Sequence, residues 1–150
     1  MVSHICVPDH AGNGNHTVAM AGVFDAVLAV EIASELVAAA EKNFELNGIS
    51  NATALCVNAR YFSRNMLGSR SFALKPTGQA NAGRTEFSFQ AVLVDPPRAG
   101  LDDYTRVKIA RYRFILYISC NPAALRRDLA ALLQVSAVLV SAVRATATAS

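Results

Sequence analysis

Two segments constrain the fold of this chain more than any others. One is the apolar run Gln90 to Val94, leading into Asp95-Pro96-Pro97-Arg98-Ala99-Gly100-Leu101-Asp102. The other is Arg113 to Ser119, leading into Cys120-Asn121-Pro122. Each reads as a buried β-strand followed by a proline-containing loop. Proline fixes φ and lacks a backbone N–H, so neither loop can be absorbed into a neighbouring strand or helix interior. Two rigid loops after two apolar strands place Asp95 and Cys120, 25 positions apart, at one edge of a sheet. In open α/β sheets that edge is where ligands bind.

The rest of the chain alternates between the two hydrophobic periods. Val2 to Val7 reads as a strand, Pro8 to His16 as a loop, Thr17 to Gly22 as a short helix and Ala26 to Glu31 as a buried strand. Ser34 is the expected N-cap of a helix with Leu36, Val37, Ala40 and Phe44 on its buried face, ended by Asn47-Gly48. Ala52 to Val57 reads as a strand and Arg60 to Leu67 as a helical turn. Residues 68–88 lack any period and are expected to be a surface insertion. Asp102 to Ala110 reads as a basic helix. Asn121 should cap a helix with Pro122 at its first position and Leu125, Leu129, Leu132 and Leu133 facing inward. Ala137 to Val143 would add a last strand before a frayed tail, 144–150. Strands alternating with helices imply a single α/β domain, with a mostly parallel sheet covered by helices on both faces.

Composition narrows the partners. With 53% hydrophobic and 17% charged residues the chain is not intrinsically disordered. A net charge of +3 suits an RNA partner, although the cations are scattered apart from Arg106 to Arg113 and Arg126-Arg127. The three cysteines are far apart and odd in number, so neither a metal site nor a disulfide framework is expected. A reducing compartment, the cytoplasm, is the simplest setting. The start of the chain has no basic-then-apolar leader. The apolar run Leu129 to Val143 is interrupted by Gln134 and two serines and is too short to span a bilayer.

Several residues carry two readings. Gly12-Asn13-Gly14-Asn15 is either a turn that brings backbone close to a polar ligand or a plain tight turn. Glu31 either accepts hydrogen bonds from a ribose or favours a helix dipole. Asp95 can serve an Asx-type turn. Arg98 can bind a phosphate or base, or hold its own loop through carbonyls. Cys120 precedes a helix N-cap, where amides and the dipole favour a thiolate; the competing reading is a buried structural cysteine. That second reading is adopted for Cys6 and Cys56, each inside an apolar strand. Tyr117 alternates with Leu116 and reads as a core or sheet-face residue.

The DPPRAGLD and SCNP motifs at this separation resemble the RNA (uracil-5-)-methyltransferase family, S-adenosylmethionine (SAM)-dependent enzymes that form 5-methyluridine in tRNA or rRNA. The resemblance runs from about Gly12 to Leu133 and takes in the glycine loop and Val30-Glu31-Ile32. It implies a class I SAM-dependent methyltransferase fold, with SAM as cofactor and RNA (tRNA or rRNA) as partner. It implies cofactor contacts from Asn15, Glu31 and Asp95, with His10 available to stack on the cofactor. Cys120 would be the nucleophile that adds to carbon 6 of uracil, making carbon 5 reactive towards a methyl group.

The ends depart from the family pattern. Pro8, His10 and Ala11 stand where the family has an acidic residue and an aromatic–cysteine pair, and Pro8 cannot donate to a sheet ladder. The family's general base lies in a His-x-Glu segment beyond the cysteine helix. Here no acidic residue follows Asp128 and no histidine follows His16. The expectation is a catalytic domain shortened at both ends. Two other readings remain open: an inactive remnant that binds RNA or a partner, and a SAM-dependent enzyme acting on an amino group, which would need no cysteine. A nicotinamide dehydrogenase fits the glycine loop and Glu31 but draws no support from Asp95-Pro96-Pro97.

Overall fold

Ile5, Cys6 and Val7 are consecutive and essentially without exposure. Successive strand residues point to opposite faces, so this strand must be covered on both sides, as parallel sheets require. The computed structural model describes residues 4–7, 12–65, 71–74, 85–135 and 139–144. Its strands are β1 (His4–Val7), β2 (Ala26–Glu31), β3 (Ala52–Cys56), β4 (Ser71–Leu74), β5 (Thr85–Val94), β6 (Phe114–Ser119) and β7 (Leu139–Arg144). The helices are α1 (Asn15–Ala21), α2 (Ser34–Leu46), α3 (Ala59–Asn65), α4 (Asp103–Ile109) and α5 (Pro122–Val135). The sheet order is β3-β2-β1-β5-β6-β7, with β4 paired to β5. Every ladder is parallel except β4–β5.

Alternation sorts the core into two sides. Cys6, Leu28, Val30, Val92, Val94, Ile115 and Tyr117 pack with Phe62 of α3, Ile109 of α4 and Leu132 of α5. Ile5, Val7, Val27, Ala29, Ala91 and Leu93 face the other way, against Met20 and Ala21 of α1. Val37, Ala40 and Phe44 of α2 join that second side through Ala54 and Val18. Helices therefore cover both faces, the arrangement of the class I methyltransferase fold. A register shift where β1 meets β5 inserts one residue between Phe89 and Ala91, which puts Phe89 and Val92 on the same face.

The strand order reverses between β1 and β5. At such a switch point the connections leave in opposite directions and open a crevice at the carboxyl ends of the strands. The glycine loop follows β1, Glu31 ends β2, Asp95 follows β5 and Cys120 follows β6. All four sequence-derived positions thus reach one edge.

Local expectations differ from the structure at several places. Ala33, not Ser34, is the N-cap of α2, and no side chain caps it. The buried stripe of α2 is narrower than expected, with Leu36 exposed; in α5 Leu133 is likewise exposed. Cys56 is exposed rather than buried, because it is the last residue of β3 and projects past the covered part of the sheet. The stretch expected to be an irregular insertion holds β4 and the start of β5, paired antiparallel from Ser71↔Ser88 to Leu74↔Thr85. The short helix begins at Asn15, two residues early. Arg144 belongs to β7, while residues 145–150 of the expected tail lie outside the described residues.

Candidate active site at the carboxyl edge of the sheet

Backbone conformation builds the first wall of the crevice. Gly12 and Gly14 have φ of 56° and 86°, in the left-handed region that glycine adopts without strain. A Cβ on Gly14 would lie 2.8 Å from the Phe44 ring, so this glycine is required by the packing of the loop on α2. Asn43 Nδ2 donates to the Asn13 carbonyl at 3.2 Å and fastens the loop to the same helix. Asn15 is exposed as the first residue of α1. His10 lies outside the described residues.

Glu31 is only 6% exposed, and its carboxylate organises the turn above β2. Oε2 accepts the Gly12 N–H at 3.0 Å, and Oε1 accepts Ile32 and Ala33 N–H at 2.8 and 3.1 Å. One carboxylate thereby joins the glycine loop to the end of β2. Ile32, immediately beside it, is 58% exposed, which sets an apolar surface next to a fixed acid.

Asp95 sits across the switch point from that wall. Its Oδ2 lies 3.4 Å from His16 Nε2, a pairing that links α1 to the end of β5. Both side chains are about half exposed. The sequence reading left His16 as the last residue of the loop before the helix, where no spacing marks it as a partner of Asp95; the structure puts it in the first turn of α1.

The loop after Asp95 is held through its backbone. Val94 pairs with Tyr117, so Asp95 comes opposite Ile118 and Cys120 follows two residues later. Asn121 Nδ2 donates to the Arg98 carbonyl at 2.8 Å, which ties the two proline loops together. Its Oδ1 accepts Ala123 and Ala124 N–H at 3.1 and 3.4 Å and caps α5 as expected. These first helix amides are directed at Asn121, not at the sulfur. Arg127 Nη2 donates to the Ala99 carbonyl at 2.8 Å. Loop holding thus falls to Asn121 and Arg127, while the Arg98 guanidinium is exposed and has no partner among the described residues. Cys120 is an exposed free thiol.

Beneath the loop lies Asp128, with no exposure at all. Its Oδ2 accepts the Leu101 N–H at 2.8 Å and the Tyr117 hydroxyl at 2.6 Å. Arg106 Nη1 and Arg127 Nη2 each reach Oδ1 at 2.8 Å. Burial alone would raise this carboxyl, but the Tyr117 hydroxyl, the Leu101 amide and Arg127 together hold it below the usual carboxylate range. Burial, and then the same carboxylate, push the Tyr117 hydroxyl well above the ordinary tyrosine value. Sequence reading missed Asp128, although a signal was present: it stands among Leu125, Leu129 and Leu132 on the buried stripe of α5.

The sign of the pH dependence follows from the lowered folded-state pKa. Asp128 stabilises the fold above the unfolded carboxyl value of about 3.9, and that stability is lost as pH falls through the still lower folded value. Urea midpoints should therefore fall between pH 5 and pH 3. The fall should be shallower in Asp128→Asn, and an equal slope in the two proteins would contradict this assignment.

A sequence model described as tRNA (Uracil-5-)-methyltransferase matches residues 8–144, more than nine-tenths of the chain. The chain belongs to this family. Among curated relatives, the tRNA/tmRNA (uracil-C(5))-methyltransferase of Idiomarina loihiensis is 43% identical over 127 residues, covering 85% of this chain and 34% of the relative. The enzyme of the same name from Neisseria meningitidis serogroup A is 41% identical over 126 residues, covering 83% and 34%. This tRNA (uracil-5-)-methyltransferase family member thus spans about a third of the length of the curated relatives it matches. The fold agrees with that of the Pyrococcus abyssi tRNA (uracil-54, C5)-methyltransferase, solved with S-adenosyl-L-homocysteine. That match has a TM-score of 0.57 and 22% identity, covering 87% of this chain and 27% of that one. An rRNA methylase from Streptococcus thermophilus shares the fold at a TM-score of 0.53 and 14% identity, covering 87% and 69%.

Proposed function

We propose that this chain carries the SAM-binding crevice and the nucleophile of a methyltransferase acting on carbon 5 of uridine in tRNA or rRNA. The observation that carries the reading is the joining of the Asp95 loop and the Cys120 turn at adjacent strand ends by the Asn121–Arg98 hydrogen bond. Family membership gives the reaction class, and the relatives named above are uracil-C5 enzymes.

The crevice suits SAM. Glu31, held by three amides beside exposed Ile32, offers an acid and an apolar surface together, as an adenosine requires. Asn15, on the glycine-loop side, and Asp95, across the switch point, offer a polar and an acidic group to the amino-acid end and its neighbouring sulfonium. Bound there, SAM supplies the methyl group. Cys120 would add through Sγ to carbon 6 of the uracil ring, which places electron density on carbon 5 for attack on that methyl. Transfer of the methyl would release S-adenosyl-L-homocysteine; a base, assigned to no residue of this sequence, would then take the carbon-5 proton, and breaking the sulfur–carbon bond would return the thiolate. A uracil inside folded RNA must leave its stack to reach an edge of this kind. The free guanidinium of Arg98 in the adjoining loop suits the phosphate of such an extruded nucleotide.

The test is titration of the protein with SAM by calorimetry, followed by incubation with SAM and RNA containing 5-fluorouridine. Fluorine cannot leave as a proton, so a methylated protein–RNA adduct accumulates whichever group serves as base. An adduct of the corresponding mass on a denaturing gel is the expected result. Folded, SAM-binding protein that forms none would remove the methyl-transfer reading and leave a binding role.

A further inference from the structure

We propose that Asp128 is the positioning residue for Cys120, a single buried carboxylate that sets the loop after Asp95, the strand before Cys120 and the helix after it in one arrangement. The proposal rests on the reading of Cys120 as nucleophile. Asp128 is inaccessible and so cannot touch RNA or SAM; whatever it does, it does through other groups.

Three pieces of chain meet on it. Tyr117, whose hydroxyl it accepts, lies in β6 three residues before Cys120. Leu101, whose amide it accepts, closes the loop that begins at Asp95. Asp128 itself lies on α5, whose cap, Asn121, follows Cys120 directly. The two arginines on Oδ1 extend the same hold: Arg106 Nη1 donates to the Leu101 carbonyl at 2.5 Å, and Arg127 Nη2 to the Ala99 carbonyl at 2.8 Å. Amide and carbonyl groups of the loop thus end on Asp128 or on its two cations. Gly100 leaves no slack, since a Cβ there would lie 2.5 Å from Asp128 Oδ2.

A buried ion cluster is a weak source of stability, because well-packed apolar side chains of the same volume often do as well or better. What it supplies that apolar packing lacks is direction. Each hydrogen bond fixes an angle as well as a distance, and here they fix the loop that carries Arg98 and the strand that leads into Cys120.

The experiment uses the full chain with Asp128→Asn and, separately, Tyr117→Phe. Asparagine has one accepting oxygen and cannot serve both sets of donors, whereas Tyr117→Phe removes one donor and leaves the charge cluster in place. The rate of adduct formation with 5-fluorouridine RNA is measured at saturating SAM over a range of RNA concentrations, together with SAM affinity and the thermal midpoint. The saturating rate should fall about 100-fold in Asp128→Asn, as misplacement of a reacting group by about 1 Å can cause. In Tyr117→Phe it should fall about tenfold, on the same scale. Half-saturating RNA and SAM affinity should change far less than the saturating rate, a split that general unfolding of the site would not give. Equal saturating rates in wild type and in both folded variants would overturn the positioning role, even if both melt earlier. No adduct from the wild type would overturn the nucleophile reading and this proposal together, so the two failures are distinguishable.

Discussion

Replacing Cys120 with alanine is expected to abolish the RNA adduct and to cut methyl transfer by about 10⁶-fold, the scale on which loss of a covalent nucleophile acts in other enzymes. The fold should hardly notice. The thiol is exposed and supports no described hydrogen bond, so the change belongs with surface substitutions, within about 0.5 kcal/mol. SAM affinity should also persist, because the groups assigned to it are Asn15, Glu31 and Asp95, none of which bonds to the Cys120 thiol. The natural control is Cys56→Ser, which alters the other exposed thiol and should leave the adduct intact. Cys6 cannot substitute: it is fully buried and desolvation pushes its thiol far above the usual range. Adduct mass and RNA methylation together decide the matter. Methylation that survived in Cys120→Ala would point to chemistry on an amino group, which needs no thiolate.

The second large effect is on stability. Gly100→Ala should destabilise the protein by about 3–5 kcal/mol, the cost of breaking a buried charge cluster together with backbone strain. Gly100 has φ +81°, and an added Cβ would lie 2.5 Å from both Arg127 Nη2 and Asp128 Oδ2, and 3.1 Å from the Ala124 Cβ. Arg127 is long and half exposed and can swing away. Asp128 is short, buried and held by four partners, and Ala124 is buried, so neither can yield without opening the loop. Gly48→Ala is the matched comparison, with φ +65° and open space around the added carbon. It should cost only the left-handed backbone penalty of about 1–2 kcal/mol. Urea unfolding of both variants separates strain from crowding, and equal losses would contradict the crowding at Gly100.

How far the sequence could be read depended on how local the determining physics was. Buried parallel strands need continuous apolar runs, and β2, β5 and β6 stood out for that reason. Asn121-Pro122 announced a helix start because cap and first-turn preferences act within three residues. The β4–β5 ladder was missed because four residues of mixed character carry no period, and their pairing depends on a partner segment more than ten positions away. Leu36 and Leu133 failed because periodicity gives the direction of a helical stripe but not its width. Cys56 failed because strand composition does not tell where the covering layer stops. At the site, Glu31 and Asp95 were legible as acids at strand ends. The partners that orient them, Gly12 for Glu31 and His16 for Asp95, became visible only when the switch point brought distant loops together.

The Asn121 amide has one further property, and it concerns ageing. Asparagine side chains deamidate when the backbone nitrogen of the next residue attacks the side-chain carbonyl carbon. The residue after Asn121 is proline, whose ring nitrogen has no hydrogen to lose. The amide that joins the two loops is therefore protected against the reaction that would turn it into an aspartate, which could still cap α5 but could no longer donate to Arg98. Asn47-Gly48, exposed at the end of α2, has no such protection. Stored protein should gain negative charge there and at exposed Asn13, which also precedes a glycine, while Asn121 stays an amide.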